Sequence, residues 1–322
     1  MSPRIAIIGL GVMAGRMITN IHNHGGPTVA AGWDPNPEAR DRAAALAPEM
    51  RIGDNAAEII ADADVDAVYI ASPPAFHREY AEAAARAGKP VLCEKPLGVD
   101  VAESRALVDL VTAEGIGNAV NFSLTSAPAA AGIEAALADG TIGNVAAVDV
   151  RMHYCKWPRD WQEPAAWLCE REQGGFVRET FSHYAYLSDR LFGPARLVSA
   201  ATRYPDDGRS AETQALALMD CGGIPVSFAG GTGGIDASDR DRIEYTVWGS
   251  KAIYRLYDWN RLRSSDGGPW TEHLSDIPDT RQEGYRRQLQ NIHAFMSGEP
   301  HTMPDFAQAL RVQELVEQIL AA

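Results

Sequence analysis

At 322 residues the chain is long enough for two domains, each with its own core. Its 46% hydrophobic and 22% charged residues are those of an ordinary soluble globular protein, with no apolar run long enough to span a bilayer. A net charge of −14, from 43 acidic and 29 basic residues, excludes nucleic acid and anionic membrane as expected partners.

In chain order, residues 4–9 form a continuous apolar run suited to a central strand buried on both faces. Helical spacing follows through Met13, Met17, Ile18 and Ile21 and stops at His24-Gly25-Gly26-Pro27. A second strand, Thr28–Trp33, ends at Asp34, and Asp34-Pro35-Asn36-Pro37 opens a helix over residues 38–47. Another buried strand, residues 67–71, closes at Ser72-Pro73-Pro74 and is followed by a helix over 76–87. Gly88-Lys89-Pro90 feeds a strand ending at Glu94-Lys95-Pro96, and a helix (101–114) and strand (118–122) complete a doubly wound parallel sheet.

The character changes near Ser123. After a helix over 127–139, strand-like runs occupy Val145–Tyr154 and residues 197–204, 213–219, 225–229, 243–248 and 252–256. Asp220-Cys221-Gly222-Gly223 and Gly249-Ser250 are hairpin signals. Two helices, 285–296 and Phe306–Leu320, close the chain. The expected class is α/β: a nucleotide-binding domain over residues 1–122, then an α+β domain over 123–322 with a large, mostly antiparallel open sheet.

Gly9-Leu10-Gly11-Val12-Met13-Ala14 follows a buried strand and opens a helix, the setting a dinucleotide cradle needs. Gly9 allows the tight turn, Gly11 lets backbone approach a pyrophosphate, and Ala14 permits close packing of helix on strand. The first-turn amides, including those of Val12 and Met13, then face the phosphates. Asp34 stands where a carboxylate accepts hydrogen bonds from an adenosine ribose, which favours NAD over NADP. An Asx turn is its plain alternative, and Arg40 nearby is the group that would accept a 2′-phosphate. Ser72 and Pro73 lie on the strand edge where ligands collect. His77 stands between two readings, a nicotinamide-ribose contact and a turn cap.

Glu94 and Lys95 end a later strand of the same sheet. A residue before proline is disfavoured in helix, so Lys95 is launched from the strand end. An ammonium there can stabilise a developing alkoxide and share in moving its proton; a solvated loop lysine is the bland alternative. Further on, Gly174-Gly175 leads into a helix carrying Glu179 and His183, four residues apart. A carboxylate that orients an imidazole makes a general base near neutral pH, and a surface pair is the competing reading. No metal is implied, because neither H-E-x-x-H nor a cysteine set is present. Tyr154, Trp157 and Arg159 suit stacking and hydrogen bonding to a polyhydroxylated ligand, and equally a dimer interface. The four cysteines lack C-x-x-C spacing and the N-terminus lacks a signal-peptide pattern, so a cytoplasmic protein with reduced thiols is expected.

Taken with these motifs, the chain resembles the glucose–fructose oxidoreductase / inositol dehydrogenase / MocA family over nearly its whole length. The resemblance is carried by Gly9–Ala14, Asp34, Ser72-Pro73-Pro74 with His77, Ala87-Gly88-Lys89-Pro90-Val91-Leu92-Cys93-Glu94-Lys95-Pro96-Leu97, and the helix of His183. It implies a Rossmann domain, a C-terminal α/β domain, and NAD(P)-dependent hydride transfer with a sugar, polyol or related hydroxy or keto compound. It implies that Lys95 is the catalytic lysine, that His183 transfers the proton, and that the open sheet forms a homodimer or homotetramer. The family's usual aspartate four residues before the histidine is replaced by Glu179. Its frequent arginine is missing from Asn121-Phe122-Ser123-Leu124-Thr125. A nucleotide-sensing regulator on the same scaffold and an imine reductase are the alternatives.

Overall fold

The computed structural model describes residues 2–234 and 241–322. Two compact units are present, one of Met1–Phe122 with Tyr285–Leu310, the other of Ser123–Gly284 with Arg311–Ala322.

The first unit holds a six-stranded parallel sheet. In chain order its elements are β1 (Arg4–Ile8), α1 (Val12–His24), β2 (Thr28–Trp33), α2 (Pro37–Leu46), β3 (Arg51–Ile52) and α3 (Ala56–Ala61). There follow β4 (Ala67–Ile70), α4 (His77–Arg86), β5 (Val91–Cys93), α5 (Val101–Ala113) and β6 (Asn118–Val120). The strand order β3-β2-β1-β4-β5-β6 reverses between β1 and β4, and the crevice at the carboxyl ends of those two strands is where such sheets take ligands. Ile5 to Ile8 and the whole of β4 are buried, which is why they read as unbroken apolar runs rather than alternating ones. Asn36 caps α2, its Oδ1 accepting from Glu38 N at 2.9 Å, with Pro37 in the first turn. Asp100 caps α5 in the same way. The short β3 and α3 carry too few residues for a period to show, and periodicity does not reveal them.

The second unit begins with α6 (Pro128–Ala138) and β7 (Val145–Tyr154). A π-turn over Val177–Phe181 then runs into α7 (Ser182–Phe192). Seven strands follow: β8 (Ala195–Arg203), β9 (Gln214–Cys221), β10 (Ile224–Thr232), β11 (Arg242–Gly249), β12 (Ile253–Tyr257), β13 (Arg261–Ser265) and β14 (Thr271–His273). With β7 they form a sheet in the order β14-β13-β12-β11-β7-β10-β9-β8, antiparallel except where β7 meets β10. Gly222 and Gly223, both at positive φ, make the β9–β10 hairpin turn. Val148, Val150, Met152 and Tyr154 are buried on one face, whereas Val198, Leu216, Leu218 and Trp248 are exposed. Packing of α6 on β12 and β13, and of α7 on β8 and β9, covers part of the sheet. β13 and β14 escape the sequence because their residues are mostly polar; in β13 only Leu262 is buried.

Two helices complete the chain, α8 (Thr280–Met296) and α9 (Phe306–Leu320). α8 starts earlier than its apolar spacing indicates, because Asp279 Oδ1 accepts from the amides of Arg281 and Gln282 at 3.0 Å. By their contacts Tyr285–Leu310 group with the first unit. Leu289, Ile292 and Phe295 join the core of the first unit beside Ile5, Ile7, Tyr69 and Leu92.

Candidate functional site

In the first unit the glycine turn is dictated by backbone. Gly9 sits at φ +91°, and a Cβ there would stand 2.5 Å from the Ser72 amide nitrogen. Only glycine lets the end of β1 pass so close to the end of β4. Gly11 differs, since nothing lies within 4 Å of where its Cβ would be. It is also the N-cap of α1 and supplies no side-chain cap, so the first-turn amides, those of Val12 and Met13 among them, have no side chain over them. An uncapped helix start beside open space fits a pyrophosphate.

Asp34 holds this turn as well as its own. Its Oδ2 accepts from Leu10 N at 2.7 Å, and its Oδ1 accepts from Asn36 N at 2.8 Å. The Asx turn is therefore real. Each carboxylate oxygen keeps a second lone pair for a ribose hydroxyl. Arg40 Nη1 donates to the Asp34 carbonyl at 3.2 Å.

At the end of β5, Glu94 is buried and its Oε1 accepts from Tyr69 Oη at 2.6 Å and Asn121 Nδ2 at 2.7 Å. Gln288 in turn donates to Asn121 Oδ1. Burial, reinforced by the Glu94 charge, pushes the Tyr69 phenol well up, so it stays a donor. Burial also pushes the Cys93 thiol up, which leaves it unreactive. Lys95 follows this braced strand end and is itself 9% exposed.

His77 corrects an expectation. It is fully buried, with Nδ1 2.9 Å from the Pro96 carbonyl oxygen and Nε2 2.9 Å from that of Ser72. Burial lowers its pKa, outweighing the two carbonyls, so the neutral ring donates through one nitrogen. With no exposed surface, it is a strut tying the Ser72 loop to the Lys95-Pro96 loop rather than a ligand contact. Glu94 is likewise an internal brace. Ser72 remains half-buried and Pro73 exposed on the same edge.

In the second unit, a buried carboxylate that the sequence does not reveal organises the helix start. Glu212 Oε1 accepts from Val177 N at 2.8 Å, and a Cβ on Gly175 (φ +96°) would stand 2.1 Å from Glu212 Oε2. The Gly-Gly pair thus makes room for this cap. Burial pushes the Glu212 carboxyl up to about 7. Arg178 locks the turn further, its fork on Glu317 at 2.6 and 2.7 Å and its Nη1 on the carbonyls of Arg171 and Gly174.

Glu179 lies within the π-turn and His183 in the first turn of α7, both half-buried. π-Turns inside helices mark functional positions often enough to direct attention here. Glu179 Oε1 accepts from Gln162 Nε2 at 3.0 Å, and Gln162 Oε1 accepts from Arg159 Nε at 2.9 Å. Gln162 is buried and was not singled out from the sequence; its only signal is its place three residues after Arg159. Tyr154 is fully buried, with its ring centroid 5.1 Å from that of Trp157. Burial raises its phenol, so it forms an aromatic floor rather than an open contact. Trp157 and Arg159 are half-buried.

The oxidoreductase family's NAD-binding Rossmann-fold profile matches residues 3–122, and its C-terminal alpha/beta-domain profile matches residues 134–322. A 1,5-anhydro-D-fructose reductase from Ensifer adhaerens is 38% identical over 138 residues, 42% of this chain and 40% of that one. An inositol 2-dehydrogenase from Rhodococcus erythropolis is 40% identical over 113 residues, 35% of this chain and 33% of that one. The chain thus spans well under half the length of these relatives in alignment. A levoglucosan dehydrogenase solved with NADH and levoglucosan superposes with a TM-score of 0.86 at 20% identity, covering 100% of this chain and 97% of that one.

Proposed function

The chain belongs to the Gfo/Idh/MocA oxidoreductase family, and from that premise we propose that it oxidises or reduces a polyhydroxylated compound with NAD(H). The observation that carries the reading is the carboxyl edge of the parallel sheet. There an open, uncapped helix start at Gly11 and a lysine on a rigidly braced strand end, Lys95, belong to one sheet. The nicotinamide, when bound, supplies or accepts the hydride. The backbone of Gly9–Met13 holds the pyrophosphate and Asp34 the adenosine ribose, whose 2′-hydroxyl its carboxylate prefers to a 2′-phosphate. Ser72 and Pro73 border the same edge.

Lys95 stabilises negative charge on the reacting oxygen. His183 takes the hydroxyl proton in oxidation and returns it in reduction. Glu179, its carboxylate fixed on one side by Gln162, biases the imidazole toward accepting that proton. Trp157 and Arg159 shape the substrate surface, with Tyr154 packed beneath them. The four free cysteines suit a reducing cytoplasm. The exposed Val198, Leu216, Leu218 and Trp248 suit a second copy of the chain on the open sheet, giving a dimer or tetramer that light scattering will count.

The test is absorbance at 340 nm across a panel of sugars, polyols and their acids, with NAD+ and NADP+ in parallel. NADH formation with at least one compound, favoured over NADPH, is the expected result. Tight cofactor binding with no turnover in either direction would sink the reading and favour a nucleotide sensor.

A further inference from the structure

The guanidinium of Arg159 is held in an unusual setting. Its CZ lies 4.9 Å from the ring centroid of Trp161, 5.0 Å from Trp259, 5.5 Å from Tyr154 and 5.8 Å from Trp157. Four rings and the Nε bond to Gln162 fix its plane. None of these contacts uses the terminal Nη groups.

Arg171, Arg261 and Arg263 also lie over rings, but over one or two rather than four, and three other arginines of the unit are arranged differently. Arg178, Arg190 and Arg311 each place Nη groups on a carboxylate, those of Glu317, Glu134 and Asp189. Among the described residues no carboxylate lies within ion-pair distance of Arg159, although the chain carries a net charge of −14. Its acidic neighbours Asp160 and Glu163 pair with Lys156 instead. Glu179 is joined to Arg159 through Gln162.

One of the four rings comes from a hairpin turn. Trp259 adopts φ +70° and Asp258 φ 46°, a left-handed backbone that is costly for a bulky side chain. This turn between β12 and β13 puts the Trp259 ring against Arg159.

We propose that the Nη edge of Arg159 is the anchor for a carboxylate on the substrate, making the compound turned over a sugar acid rather than a neutral sugar or polyol. The inference rests on the hydride-transfer reading for what happens after binding, but not for binding itself. A planar fork with two parallel donors matches a carboxylate bidentately. The flanking rings lower the local dielectric on the buried side of the fork and strengthen that pair. Gln162 then links the anchor to Glu179, four residues before His183, through two hydrogen bonds, so seating the carboxylate fixes the Glu179 side chain.

The test uses the full chain saturated with NAD+, read by tryptophan fluorescence because Trp157, Trp161 and Trp259 flank the guanidinium. D-gluconate, D-galactonate and D-glucuronate are titrated, with D-glucitol, galactitol and D-glucose as neutral counterparts and D-glucose 6-phosphate as the phosphate arm. At least one acid is expected to half-saturate at a concentration lower than its neutral counterpart by about 30-fold or more. Arg159→Gln abolishes the preference, and Arg159→Lys, which keeps the charge but not the fork, retains only part of it. Circular dichroism establishes that each variant is folded. No response to any of the three acids, a preference for the phosphate, or an acid preference surviving in Arg159→Gln overturns the proposal. Absorbance at 340 nm, recorded on the same samples, separates the two readings. Acid preference without turnover strikes hydride transfer alone, whereas turnover of neutral compounds without acid preference strikes the Arg159 anchor alone.

Discussion

The two candidate regions are built by different means. In the first unit the site is backbone: a glycine at φ +91° against Ser72, an open helix cap at Gly11, and a lysine following a strand end pinned by Tyr69 and Asn121. In the second unit it is side chain: a caged arginine, a glutamine relay and a buried glutamate, drawn from segments as distant as Arg159, Glu212 and Trp259. Recognition of a cofactor common to many enzymes needs only amides and tight turns, which tolerate little change. Selection among substrates needs side chains, which vary freely on the same sheet.

Substitutions that separate backbone from side-chain control break the comparison most sharply. Gly9→Ala places a Cβ against the Ser72 backbone at a positive φ. It is expected to cost about 3 kcal/mol or more and to abolish NAD binding, read by urea melts and calorimetric titration.

Glu212 makes a comparable claim for the second unit. Its folded pKa of about 7 lies above the ordinary 4.5, so between those values the folded state binds more protons than the unfolded. Stability from this group is fully present below about pH 4.5 and is lost as pH rises through 7, a change of about 3 kcal/mol. Glu212→Gln removes that slope; urea melts at pH 5 and pH 8 that fall in parallel for both proteins would contradict it. Smaller again, Gln162→Leu unties Glu179 from Arg159 and is expected to lower turnover about 10-fold with NAD affinity unchanged. Tyr69→Phe takes one of the hydrogen bonds from Glu94 and is expected to cost about 1 kcal/mol, seen as a shifted urea midpoint.

Legibility in the sequence follows the same division. The local structure at Gly9, Gly11, Asp34 and Lys95 is legible because its signals are local: a glycine after a buried strand, an aspartate at the next strand's end, a lysine before proline. The sequence leaves His77 between two readings because its ring nitrogens meet two loops whose closeness no local pattern reports. Gln162 and Glu212 were invisible for the same reason. Glu179 lies 17 residues from Gln162 and Val177 lies 35 from Glu212, and an isolated Gln or Glu carries no signal of burial. The return of residues 285–310 to the first unit is also a long-range fact, encoded in an apolar face that fits either core.

The division of labour is tested most directly by His183→Asn, assayed for NAD binding and turnover on one preparation. General acid–base catalysis lost at the second unit predicts turnover lower by about 10²- to 10⁴-fold, with the NAD dissociation constant unchanged within about twofold. Turnover that survives, or cofactor affinity that falls with it, would contradict a cofactor site built by one unit and a proton-transfer site built by the other.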